Sequence, residues 1–141
     1  MTDRIFGLLG LMRRASSVEP GEDRASEAVR NGKARLLLLP SDVPEAAAAR
    51  ADRYLEGRRA LKVTLPCTGE EVGKAIGLNR CSMLAVTDLG FAKALMELLS
   101  SQFPGRYDAE ADTIARRLDK MERRKREKPG VKTKKKSAGE E

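Results

Sequence analysis

Apolar positions along the chain change period repeatedly, and the changes mark out alternating helices and strands. Ile5, Leu8, Leu9 and Met12 recur at i, i+3, i+4 and i+7, one face of a first helix that ends near Ala15. Ser16 to Pro20 reads as a short extended piece or a turn. Gly21 then opens a second helix, with Glu22 and Asp23 in its first turn, where the positive end of the helix dipole favours acids. Ala25, Ala28 and Val29 form its inner face, and Asn31-Gly32 closes it. Leu36 to Leu39 is a continuous apolar run bounded by Lys33 and by Pro40-Ser41-Asp42. That pattern fits a strand covered on both faces. Leucine is a weaker strand former than valine or isoleucine, so this assignment rests on length and flanks.

The pattern continues in the same way. A third helix starts near Pro44, after Asp42 or Val43, and runs to about Glu56-Gly57. Lys62 to Leu65 is the next short strand, stopped by Pro66. Thr68, three residues before Glu71, makes a capping-box start for a helix that reaches Ile76 and ends at Gly77. Met83 to Val86 is a third buried strand, and Asp88 precedes a helix from about Gly90 to Ser100. Strands alternating with helices predict an α/β sandwich, a central sheet with helices on both faces. A body of about 100 residues can bury one modest core.

Charge divides the chain. Residues 104–141 hold 13 Lys or Arg against 8 Asp or Glu, a net of +5. That leaves 15 against 13, a net of +2, for residues 1–103 out of a total of +7. The expected organisation is therefore a nearly neutral domain over 1–103 and a basic extension over 104–141, parted at Phe103-Pro104-Gly105. In the extension, Ala111, Ile114, Ala115, Leu118 and Met121 keep an apolar stripe at helical spacing, predicting a helix over about 108–127. Arg116, Arg117, Lys120, Arg123, Arg124, Lys125 and Arg126 cover its other faces. Such a helix can dock its stripe on the body or on a partner while its basic side meets phosphate. Val131 to Glu141, with Lys132 and Lys134 to Lys136, reads as disordered. A basic balance of this kind favours an anionic partner: nucleic acid, an acidic membrane surface or an acidic protein.

Absences narrow the chemistry. The chain has no histidine, which removes the commonest general base, the Ser-His and Cys-His pairs and imidazole zinc sites. Cys67 and Cys81 are too few for a thiolate zinc cage and read as reduced small hydrophobes. Gly69, Gly73 and Gly77 recur every four residues without a P-loop or dinucleotide fingerprint, so they predict a small helix face for close packing. The adjacent pairs Glu22-Asp23 and Glu70-Glu71 cannot flank a substrate from one helical face. No catalytic residue, metal or cofactor is expected. Ile5 to Met12 follows Asp3 and ends at Arg13-Arg14, too short for a membrane span and without a cleavage-site pattern, so the expectation is a soluble cytoplasmic protein.

Two segments carry a resemblance. Gly21 to Gly32, followed by Lys33-Ala34-Arg35 and Leu36 to Leu39, is similar to the core segment of the kink-turn-binding ribosomal protein superfamily (the ribosomal protein L-seven-Ae type). So is Glu71-Val72-Gly73-Lys74-Ala75-Ile76-Gly77, followed by a loop and an apolar strand. Gly7-Leu8-Leu9-Gly10-Leu11 with Arg13-Arg14-Ala15 resembles the bacterial YlxQ-type branch of small ribosomal-protein-like chains. The resemblance covers Ile5 to about Leu99 and implies a three-layer α/β/α sandwich with a central mixed sheet, which binds structured RNA and performs no chemistry.

It also implies where RNA is met. In the superfamily the start of the second helix enters the RNA at sheared G·A pairs, and a loop before the last strand covers an extruded base. The family pattern Gly, small residue, Asn-Glu and a later Lys stands here as Gly21-Glu22-Asp23-Arg24, with Glu27 where that Lys falls. Asp23 can only accept hydrogen bonds and Arg24 can only donate them. The second loop is Leu78-Asn79-Arg80-Cys81-Ser82, in which Arg80 can stack on a base or fork onto a phosphate. Lys33 and Arg35 beside the second strand can add phosphate contacts, although charges that flank a buried strand usually serve only solubility. The resulting expectation is a ribosomal or ribosome-associated protein, monomeric when free, with ribosomal RNA and the ribosome or translation factors as partners. Asp23 and Glu27 keep open a competing class, a protein-interaction module that retains the sandwich without the RNA face. A third option is the RNA-recognition piece of an RNA-modifying enzyme whose catalytic domain lies on another chain.

Overall fold

The computed structural model describes residues 2–127. The elements are α1 (Asp3–Arg14), β1 (Val18–Pro20), α2 (Glu22–Arg30), β2 (Leu36–Leu39), α3 (Glu45–Leu55), β3 (Leu61–Thr64), α4 (Gly69–Ala75), β4 (Leu84–Val86), α5 (Leu89–Gln102) and α6 (Asp108–Glu127). Their order is the one the apolar periods predict. Strand β3 lies one residue earlier than the expected Lys62 to Leu65, because Leu61 pairs with Leu36 in a parallel ladder, and β4 starts at Leu84 rather than Met83. The expected disorder of Val131 to Glu141 lies outside the described residues.

The four strands form one mixed sheet in the order β1-β4-β2-β3. Only β2 and β3 run parallel; β4 is antiparallel to both β1 and β2. All four leucines of β2 are buried. Successive strand residues point to opposite faces, so Leu36 and Leu38 enter one core while Leu37 and Leu39 enter another. The sheet thus divides the expected single core into two. Each buried leucine contributes about 2 kcal/mol of transfer free energy.

The two cores differ in grain. On one face α2 and α3 present Ala25, Ala28, Val29, Ala47 and Ala51, small residues that let both helices lie close to the sheet. On the other, α1, α4, α5 and α6 contribute larger groups, among them Ile5, Leu9, Met12, Val72, Leu95, Met96 and Ile114. The stripe on α6 therefore docks on the body, with Ile114 fully buried and Ala111, Leu118 and Met121 packed against the same core. Just ahead of α6, the buried Tyr107 donates its hydroxyl to the Thr64 carbonyl at 2.7 Å. Helix starts follow their sequence signals. The Thr68–Glu71 capping box opens α4, and the Asp88 carboxylate accepts from the Phe91 N–H at the head of α5. Among the described residues no helix is long and apolar enough to cross a membrane.

Candidate nucleic-acid interface

The start of α2 meets the 78–82 loop at a single carbonyl. Gly21 leaves β1 with φ +94° and ψ 152°, a region essentially confined to glycine. That geometry aims its N–H at the Met83 carbonyl, 2.8 Å away, while its own carbonyl accepts from the Ala25 N–H. No side chain among the described residues caps α2, which leaves first-turn N–H groups for an outside acceptor. The Met83 carbonyl also accepts from the Cys81 thiol at 3.1 Å. One oxygen thus joins the helix start to the loop.

The loop itself is held by α4. Leu78 and Cys81 donate their N–H groups to the Gly73 and Gly69 carbonyls, at 2.8 and 3.0 Å. A Cβ on Gly73 would lie 2.6–2.9 Å from the Arg80 backbone, and one on Gly69 would lie 3.0 Å from the Cys81 carbonyl. Two of the three evenly spaced glycines therefore serve close packing, as their spacing predicts, while Gly77 lies beyond the helix. Pinned in this way, the loop exposes Leu78, Asn79, Arg80 and Ser82. Arg80 reaches the Asp42 carboxylate at 3.3 Å, and Asp42 also accepts from the Gly69 N–H at 2.8 Å.

Two of the residues expected at the RNA surface face inward. Cys81 is buried, its thiol pushed up by burial, so the loop offers one small polar side chain, Ser82, rather than two. Glu22 turns toward α3, where its carboxylate receives both the Arg50 guanidinium (2.5 and 3.0 Å) and the Tyr54 hydroxyl (2.6 Å). These donors hold Glu22 at about 2, far below its ordinary 4.5. Arg50 and Tyr54 lie 28 and 32 residues further on, with no local signal linking them to Glu22. Cys67 is likewise buried, its thiol raised to about 11 by burial and then by the Glu71 carboxylate.

The remaining α2 residues stand at the surface. Asp23 and Glu27 are exposed. Arg24 pairs with Glu19 of β1 at 2.8 Å, both partners open to solvent. A shallow groove of about 300 Å³ runs beside the helix and brings Arg24, Glu27 and Lys33 together with Glu19 and Asn31. On α6, Arg116 pairs with Asp112, and Arg123 pairs with Asp119 at 3.3 Å. Lys120, Arg124, Lys125 and Arg126 are exposed, whereas Arg117 is half-buried and donates to the Arg59 carbonyl at 2.8 Å.

No protein-family model matches the chain. Over 105 residues it is 36% identical to the RNA-binding protein YlxQ of Bacillus subtilis (strain 168), covering 67% of this chain and 93% of that protein. The chain belongs to the YlxQ family. A solved protein of unknown function from Bacillus halodurans superposes with a TM-score of 0.62 at 27% identity, over 67% of this chain and 95% of the other. The 15.5kD RNA binding protein of Giardia lamblia shares the fold with this YlxQ relative. Its TM-score is 0.59 at 16% identity, over 74% and 85% of the two chains.

Proposed function

We propose that this protein binds structured RNA by shape and electrostatics and performs no chemistry. The observation that carries the reading is the Met83 carbonyl, which locks an uncapped helix N-terminus beside an exposed loop bearing Asn79 and Arg80. Regular A-form RNA hides its base edges in a deep, narrow major groove, so recognition falls on bulged or turned RNA. A rigid helix start next to a loop suits that shape. Membership of a family that includes a protein named for RNA binding supports the assignment.

The finer reading is a kink-turn-like element of ribosomal RNA, bound by a monomer that works at the ribosome in the cytoplasm. Gly21, Asp23, Arg24, Leu78, Asn79, Arg80 and Ser82 form the reading surface, and the basic side of the 104–141 extension adds phosphate contacts. Gel shifts with the full-length protein test this. The probes are a kink-turn RNA from ribosomal RNA and a plain duplex of equal length. Binding to the kink-turn at low salt is expected to exceed binding to the duplex and to weaken steeply as salt rises. Losing one base contact in Arg80→Ala should reduce the preference about tenfold. Asp23 and Glu27, acids exposed beside the helix start, favour the second reading, a protein-interaction module. Failure of both RNAs to bind at low salt selects it.

A further inference from the structure

At the end of the sheet opposite Gly21, six cations converge. Arg35 precedes β2, Arg58 and Arg59 follow the Gly57 turn ahead of β3, and Arg117, Lys120 and Arg124 come from α6. They line a cleft of about 430 Å³ whose other lining residues are glycine or apolar, Leu89 and Met121 among them. No acid lines it, and none of the six cations forms an ion pair among the described residues.

This contrasts with the rest of α6. Arg116 and Arg123 are neutralised by aspartates one turn earlier, whereas Arg117, Lys120 and Arg124 follow the i, i+3, i+7 spacing of a different side. Folding alone gains nothing from such crowding, because like charges in a concave site repel. Burial first, then Arg59 and Arg35, push the Arg117 guanidinium below its ordinary value. Its bond to the Arg59 carbonyl nevertheless fixes it at the cleft wall.

We infer that this cleft binds consecutive phosphodiesters of an RNA strand, a second contact surface at the far end of the sheet from the α2–loop surface. The inference rests on the RNA-binding reading and adds a separate location and a separate role. Six cations exceed what one phosphate group of about two negative charges requires. The lining has no aromatic side chain on which a base would stack, so the cleft contributes affinity without sequence preference. Charge from three separate chain segments suits a backbone that passes through rather than a small anion held at one point.

Two full-length triple variants of equal charge test the cleft: Arg58→Gln/Lys120→Gln/Arg124→Gln inside it, and Arg116→Gln/Arg123→Gln/Lys125→Gln outside it. All six positions are exposed, and thermal unfolding checks that each variant folds. Affinity for the kink-turn RNA and for the plain duplex is measured across a salt series. The cleft variant should lower the slope of log affinity against log salt by about 2 on both RNAs, since each lost phosphate contact removes roughly 0.7–0.9. The outside variant should change it by less than half as much. Equal losses in the two variants, or no loss in the cleft variant, overturn the inference while leaving RNA binding intact. Displacement of the RNA by low concentrations of inorganic pyrophosphate also overturns it, as that marks a small-anion site. If the wild type binds neither RNA, the RNA-binding reading and this inference fall together.

Discussion

At the Gly21 end of the sheet the surface is shaped by backbone, whereas at the Arg35 end it is made of side-chain charge. The first depends on a glycine-only conformation, a carbonyl that accepts twice, and a helix pressed against a loop where no Cβ fits. The second depends on six long cationic side chains over a docked helix. Backbone surfaces discriminate shapes and tolerate little substitution. Charged clefts tolerate substitution and answer to ionic strength. On the proposed reading, selectivity belongs to one end and affinity to the other.

Substitutions separate the two ends. The largest effect is expected from Gly73→Ala, whose new methyl collides with the Arg80 backbone rather than with a flexible side-chain tip. Overpacking of this kind should cost about 3 kcal/mol in urea unfolding. The displaced loop should also erase the preference for turned over duplex RNA, with the salt slope unchanged. Gly21→Ala comes next. The space around it is open, so its cost is backbone strain alone, about 2 kcal/mol in the same measurement. A Gly21→Ala protein as stable as wild type would mean that the helix start needs no glycine.

The smallest effect concerns Glu22. Its folded value, about 2, lies below its ordinary 4.5 because Arg50 and then Tyr54 donate to it. Its stabilising contribution is therefore complete above pH 4.5 and fades as pH falls toward 2. Glu22→Gln should lower the thermal midpoint by only a few degrees near neutrality, because the ion pair is partly solvated. The gap to wild type should close on acidification through that window. A gap that persists at the acid end would show that Glu22 acts by packing rather than by charge.

Local signals were legible and distant ones were not. Leu36 to Leu39 reads as a doubly covered strand because every side chain in the run is apolar, and the Thr68–Glu71 box places the head of α4 because both partners lie within one turn. The α6 stripe predicts a docked helix, though only the packed structure shows that Ile114 enters the body rather than a partner. Glu22 reads as a first-turn acid on the RNA face; its capture by Arg50 and Tyr54 depends on how α3 lies against α2. Cys81 reads as a small loop residue, and its burial follows from the close approach of α4 that Gly69 and Gly73 permit. The basic cleft had no sequence signature, since Arg35, Arg58, Arg59 and the α6 cations come from separate segments.

Helix α2 touches both ends: Gly21 opens it beside the loop, and Val29 and Gly32 at its close line the cleft. Its nine residues span about 14 Å. Strand β4 fixes the same span, since the Met83 carbonyl just ahead of it accepts from the Gly21 N–H and its Val86 carbonyl accepts from the Arg35 N–H at 2.6 Å. The spacing of the two surfaces is therefore set by the sheet, and on the proposed reading an RNA must reach from one end of β4 to the other to meet both of them.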